Sequence, residues 1–70
     1  MNLLALRQKM LAEQKSNKDI AFELGISRSA IQRKLSGEVQ FTQGELKVLI
    51  SILGLSEEEV MSIFFEDKVS

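Results

Sequence analysis

Arg28, Ser29, Gln32 and Arg33 fall within six consecutive positions, and at 3.6 residues per turn they share one face of a short helix. Two guanidinium groups, an amide and a hydroxyl make a surface of hydrogen-bonding groups rather than a bond-breaking centre. The chain has no histidine and no cysteine, its serines have no recognisable general-base partner, and no carboxylate pair is placed for acid–base work, so an enzyme is not expected. The same absences remove the commonest ligands of a transition metal, and neither metal nor cofactor is expected. The four residues close a 22-residue stretch, SNKDIAFELGISRSAIQRKLSG, from Ser16 to Gly37. It reads as two short helices joined by a tight Gly25-Ile26-Ser27 turn, with the polar face on the second.

The elements that must hold this face in place are marked by their punctuation. Leu3, Leu6 and Met10 recur at helical spacing, with Leu11 alongside, and predict a first helix from about Asn2 to Glu13. Ser16 with Asp19 forms a capping-box start for a second helix, roughly 17–24, with Ile20, Ala21 and Leu24 inward and Gly25 as its left-handed stop. Phe22 falls off that stripe and either covers a neighbouring groove or is partly exposed. Ser27 caps a third helix, about 28–35, whose Ile31 and Leu35 point inward, and Gly37 ends it. Thr42 with Glu45 opens a fourth helix to about Leu53, carrying Leu46, Leu49, Ile50 and Leu53 as a core stripe before Gly54. Ser56 with Glu59 opens a fifth, running to about Phe65, with Glu57, Glu58 and Glu59 in the first turn where the helix dipole favours them. Nothing reads as a strand or a repeat. The expected fold is all-α, a compact bundle of five short helices in one domain spanning residues 1–70.

At 70 residues and 44% hydrophobic composition, the chain can build one core and has no staple besides apolar packing. The formal net charge of -1 hides an asymmetry. Residues 15–37 carry Lys15, Lys18, Arg28, Arg33 and Lys34 against Asp19 and Glu23, whereas residues 56–70 carry Glu57, Glu58, Glu59, Glu66 and Asp67 against Lys68. An anionic partner responds to the local field, so the basic segment matters more than the total. Arg28, Arg33 and Lys34 are either part of a groove-reading surface or an ordinary solvated face. The run Met1 to Leu6 is too short for a signal peptide and no apolar run approaches a membrane span, so a soluble, cytoplasmic protein is expected.

Residues 6–65 resemble the phage Cro and repressor-like helix-turn-helix family, also called the Xre family. The resemblance is carried by Ser16, Asn17, Ile20, Ala21, Leu24, Gly25, Ile26, Ser27, Ser29 and Ile31 at family spacing, then Gly37 and the later Leu53-Gly54-Leu55-Ser56. It implies a recognition helix in the major groove of double-stranded DNA, with Arg28, Ser29, Gln32 and Arg33 as base readers. It implies phosphate contacts from Ser16, Asn17 and Lys18 at the start of the second helix, from Ser27, and from Gln40 and Thr42 in the loop after Gly37. It further implies a homodimer on an operator with half-sites about one helical turn apart, with Leu55, Met61 and Phe65 as interface residues. Since the family core takes up the whole sequence, no small-molecule effector is expected and occupancy would follow concentration.

Departures from the family pattern are as specific as the matches. Members often pair an arginine in helix one with a glutamate near the end of helix three, and those positions are Met10 and Leu35 here. The glycine and apolar residue that usually precede helix two are Gln14 and Lys15, and Glu38, Val39 and Gln40 stand where basic residues are common, which implies modest affinity for the DNA backbone. Met61, Phe64 and Phe65 either close the core or form a dimer surface, with Val60, Ile63 and Phe64 assigned inward and Met61 and Phe65 outward. The apolar surface of helix five also suits an alternative function, a protein-interaction module of antirepressor or antitoxin type.

Overall fold

Four serine or threonine caps in extended backbone start the helices after the first. The hydroxyls of Ser16, Ser27, Thr42 and Ser56 each accept from the backbone N–H three residues on, and Asp19, Glu45 and Glu59 reach back to complete three full capping boxes. In the computed structural model, which describes residues 1–66, these caps open α2 (Asn17–Leu24), α3 (Arg28–Leu35), α4 (Gln43–Leu53) and α5 (Glu57–Val60). The first helix, α1 (Leu3–Ala12), is capped by the Asn2 side chain, which accepts from the Ala5 N–H at 3.0 Å. Among the described residues there is no strand. Asp67 and Lys68 of the acidic end lie outside the described residues.

Each of the first four helices ends in the same way. The residue after the last turn takes a left-handed conformation, and two backbone N–H groups fold back onto orphan carbonyls. Gly25, Gly37 and Gly54 supply that conformation at φ +69°, +88° and +60°. At the end of α1 the position belongs to Gln14, at φ +58°, with the Gln14 and Lys15 N–H groups donating to the Leu11 and Met10 carbonyls at 3.0 and 2.8 Å. A side chain there is strained, because Cβ crowds the backbone. Gln14→Gly is therefore expected to raise stability by about 0.5–1 kcal/mol, the relief of strain exceeding the added freedom of the unfolded chain. A thermal melt of the two proteins measures it, and a lower melting temperature for the glycine variant would show that Gln14 makes a compensating contact.

The core collects residues from every layer. Leu6 and Met10 of α1, Ile20 and Ala21 of α2, Ile31 and Leu35 of α3, Leu49 and Leu53 of α4, and Ile63 and Phe64 form one buried cluster. Met10 and Leu35 both belong to it, so these two positions are filled by apolar packing, with no ion pair to desolvate. Leu11 is a correction to the sequence reading. It is 81% exposed, because it stands one helical step away from the Leu6–Met10 face, at the open rim of a cleft shared with the start of α2 and with α3. Phe22 resolves to the exposed alternative, at 82%.

The fifth helix also departs from expectation. After α5 the chain widens into a π turn at Met61–Phe65, which buries the consecutive residues Ile63 and Phe64 and leaves Met61 and Phe65 exposed. Val60 is half-buried against the core, as assigned. The Ile63 carbonyl accepts from the Asn2 N–H at 2.6 Å, and the Lys9 ammonium bridges Glu59 at 2.9 Å and Glu13 at 3.4 Å, so α1 is tied to the C-terminal helix at both ends. The hydrogen bond to Glu59 raises the Lys9 pKa. Donation from the Ser56 N–H and then from Lys9 lowers that of Glu59.

Candidate nucleic-acid interface

Two helices must cross closely for the second to project from the surface, and the residues between them are built for that. Ala21 is buried where α2 packs against α3, Gly25 turns the chain, and Ile26 is half-buried against the core. Ser27 then starts α3 with its Oγ accepting from the Ala30 N–H at 3.1 Å. Because Ile31 and Leu35 are anchored in the core, the opposite side of α3 presents Arg28, Ser29, Gln32 and Arg33 to solvent, all four exposed.

Ser29, Gln32 and Arg33 line a shallow groove whose other wall is Arg7, with Ser36 and Glu38 at its end. Gln32 and Arg7 also line a second cleft, which continues to Lys15, Ser16 and Asn17 at the start of α2. The two share a wall, so most of the predicted base-reading face and part of the predicted phosphate set lie on one continuous surface. Lys18 lies elsewhere, in a cleft between α2 and α4 with Lys15, Asp19, Phe22, Glu23 and Ile52. Arg28 and Ser27 are exposed at the first turn of α3, outside both grooves. Gln40 and Thr42 are exposed in the loop and cap ahead of α4.

The start of α2 is partly occupied by its own cap. The Ser16 N–H and hydroxyl both donate to Asp19 Oδ2, at 2.9 and 3.0 Å, and these two bonds, the backbone one first, lower the Asp19 pKa. The Asp19 N–H donates to Ser16 Oγ and the Ile20 N–H to the Ser16 carbonyl. The helix-start amides left to face an anion are those of Asn17 and Lys18, with an ionised Asp19 beside them.

Sequence reasoning mistook one basic residue and missed another. Lys34 is neither a groove contact nor part of a solvated face. It is 9% exposed, with its ammonium 2.9 Å from Glu45 Oε1, 3.1 Å from the Gln40 carbonyl oxygen and 5.7 Å from the centre of the Phe41 ring. It stands three residues after Ile31 and one before Leu35, on the edge of the inward stripe, and that spacing was the available signal. Arg7 is the residue missed. Its Nη2 donates to the Leu35 carbonyl at the end of α3, at 3.1 Å, and it walls both grooves. Its place one helical turn before Met10, on the side of α1 that meets α3, was the only hint.

Among the described residues no cluster of carboxylates could hold a metal ion, and no helix is long and apolar enough to cross a membrane. Comparison with known families finds a match to the helix-turn-helix family over residues 6–60. Neither the curated proteins nor the solved structures give a significant match. The matched span runs from α1 to the end of α5 and contains the whole α2–turn–α3 unit. The chain therefore belongs to the Cro/Xre-type helix-turn-helix family of DNA-binding proteins.

Proposed function

We propose that this protein is a sequence-specific transcriptional regulator that sets α3 into the major groove of an operator and reads bases with Arg28, Ser29, Gln32 and Arg33. The observation that carries the reading is the continuity of the exposed polar face of α3 with the groove walled by Arg7 and the start of α2. Arginine at this position can donate two parallel bonds to guanine O6 and N7, and glutamine can pair with adenine N6 and N7. Asn17 and Lys18 offer backbone amides to a phosphate, and Ser16, Ser27, Gln40 and Thr42 complete the backbone contacts in this reading. Arg7 adds a guanidinium with donors to spare beyond its bond to Leu35.

A homodimer on an inverted repeat is part of the proposal, with Met61 and Phe65, 60% and 68% exposed, and half-buried Leu55 as the contact. The molecule measures 28 × 24 × 21 Å. Two such bodies side by side can present their recognition helices about 34 Å apart, one turn of the double helix.

Selection of bound sequences from random duplex DNA at near-physiological salt tests the whole reading, because affinity without salt and competitor carries no information on specificity. The expected result is an inverted repeat with half-sites about ten base pairs apart. Enrichment of a single half-site would remove the dimer and keep the reader. No enrichment would overturn the proposal.

A further inference from the structure

Lys34 is the buried charge in the described core layer, and its partners span the loop between α3 and α4. We infer that it is a positioning residue for DNA binding: its ammonium holds the 37–42 loop in the geometry that meets the phosphate backbone, without touching DNA itself. The inference rests on the DNA-reading proposal above and deepens it.

The loop leaves α3 with two bonds to one carbonyl, the Glu38 and Val39 N–H groups donating to Arg33 at 2.9 and 3.3 Å. Beyond Val39 the chain runs over a cleft of about 330 Å³, lined by Leu3, Val39, Phe41, Leu46 and Phe64 with Lys34 at its edge. This stretch is therefore bordered by an open cleft, with Val39 and Gln40 exposed to solvent. Lys34 supplies the tie, donating to the Gln40 carbonyl at 3.1 Å and sitting over the Phe41 ring. The same ammonium bonds Glu45 Oε1 at 2.9 Å, and that oxygen also accepts from the Thr42 N–H at 2.9 Å. Residues 34, 40, 41, 42 and 45 thus form one closed network that fixes the loop to α3 at one end and to the first turn of α4 at the other. Burial raises the Glu45 pKa, and donation from Thr42 and Lys34 outweighs it, so the net shift is downward and the carboxylate stays charged against the ammonium. With its charge neutralised and its head turned inward, Lys34 adds little to the field that DNA meets.

The test compares the native protein with Lys34→Met, which keeps the length of the side chain and removes the ammonium, and with Glu45→Gln. Replacing a buried charge by an apolar group of similar size is often tolerated, and thermal melts verify folding. The positioning role predicts that Lys34→Met weakens binding to every duplex by about tenfold and leaves the dependence of affinity on salt nearly unchanged, because the loop contacts it would misplace carry no lysine or arginine. It predicts that hydrogen exchange at the Glu38–Thr42 amides of the DNA-free protein speeds up in Lys34→Met. It also predicts that Glu45→Gln weakens binding, although it removes a negative charge. Native affinity with unchanged loop exchange in Lys34→Met would overturn the inference. Tighter binding by Glu45→Gln would also overturn it, because freeing the lysine would then have created a direct phosphate contact. Failure of the native protein to bind any duplex would instead sink the DNA reading, and the exchange measurement would still judge the loop tie by itself.

Discussion

Leu49→Ala is expected to be strongly destabilising, costing about 2–5 kcal/mol and lowering the melting temperature by roughly 10 °C or more. Leu49 is fully buried at the centre of α4, in the cluster that joins α4 to α2 and to Ile31 beneath the reading face. The loss combines the transfer of the removed carbons with the hole left behind, and a bundle of short helices has limited means to collapse into it. A domain of this length has a total stability of about 5 kcal/mol, so the variant sits near the edge of folding. Leu11→Ala is the control, since that leucine is 81% exposed and its loss should shift stability by less than about 0.5 kcal/mol. Helical circular dichroism followed through a melt measures both. Equal effects from the two variants would mean that burial does not set the stability of this bundle.

The contrast between those two leucines also marks how far a sequence can be read. Helix starts and stops are local events, and Ser16 with Asp19, Thr42 with Glu45, and the glycines at 25, 37 and 54 place them within a residue of where they fall. The inward stripes follow from periodicity, which identifies Leu6 and Met10, Ile20 and Ala21, Ile31 and Leu35. Periodicity does not reveal how deeply the flank of a helix is covered, so Leu11 and Phe22, both at the open rims of clefts, needed the packing to be placed. Lys34 was hidden for a related reason. An ammonium is counted as exposed until a partner is known, and its partner Glu45 is on the next helix, eleven residues away. The π turn at 61–65 has no signature beyond three successive large apolar residues. The reading face was legible because a capped helix with two inward anchors leaves only its other side for Arg28, Ser29, Gln32 and Arg33. The Arg7 wall was not, since it depends on how α1 lies against the end of α3.

Arg33→Ala and Lys18→Ala are expected to separate base reading from phosphate contact. The Arg33 backbone is fixed, its carbonyl accepting from the Ser36 hydroxyl and from the Glu38 and Val39 N–H groups, so truncating the side chain removes the guanidinium and leaves α3 in place. On the selected operator the loss should be about 1–3 kcal/mol, roughly 5- to 150-fold, and it should shrink on duplexes already altered at the base pair Arg33 reads. Lys18 is exposed at the first turn of α2, in a cleft apart from the reading groove. Its loss should weaken every sequence alike and reduce the salt slope by about one, because one released counterion is no longer gained. Titrations of the operator and its single-base variants at several salt concentrations give both quantities. If Arg33→Ala instead costs the same on every sequence, its guanidinium is a backbone clamp, and specificity must come from Arg28, Ser29 and Gln32 at the start and middle of the helix. A sequence-dependent loss would put the guanidinium on a base edge, where its planar pair of donors distinguishes it from the ammonium of Lys18.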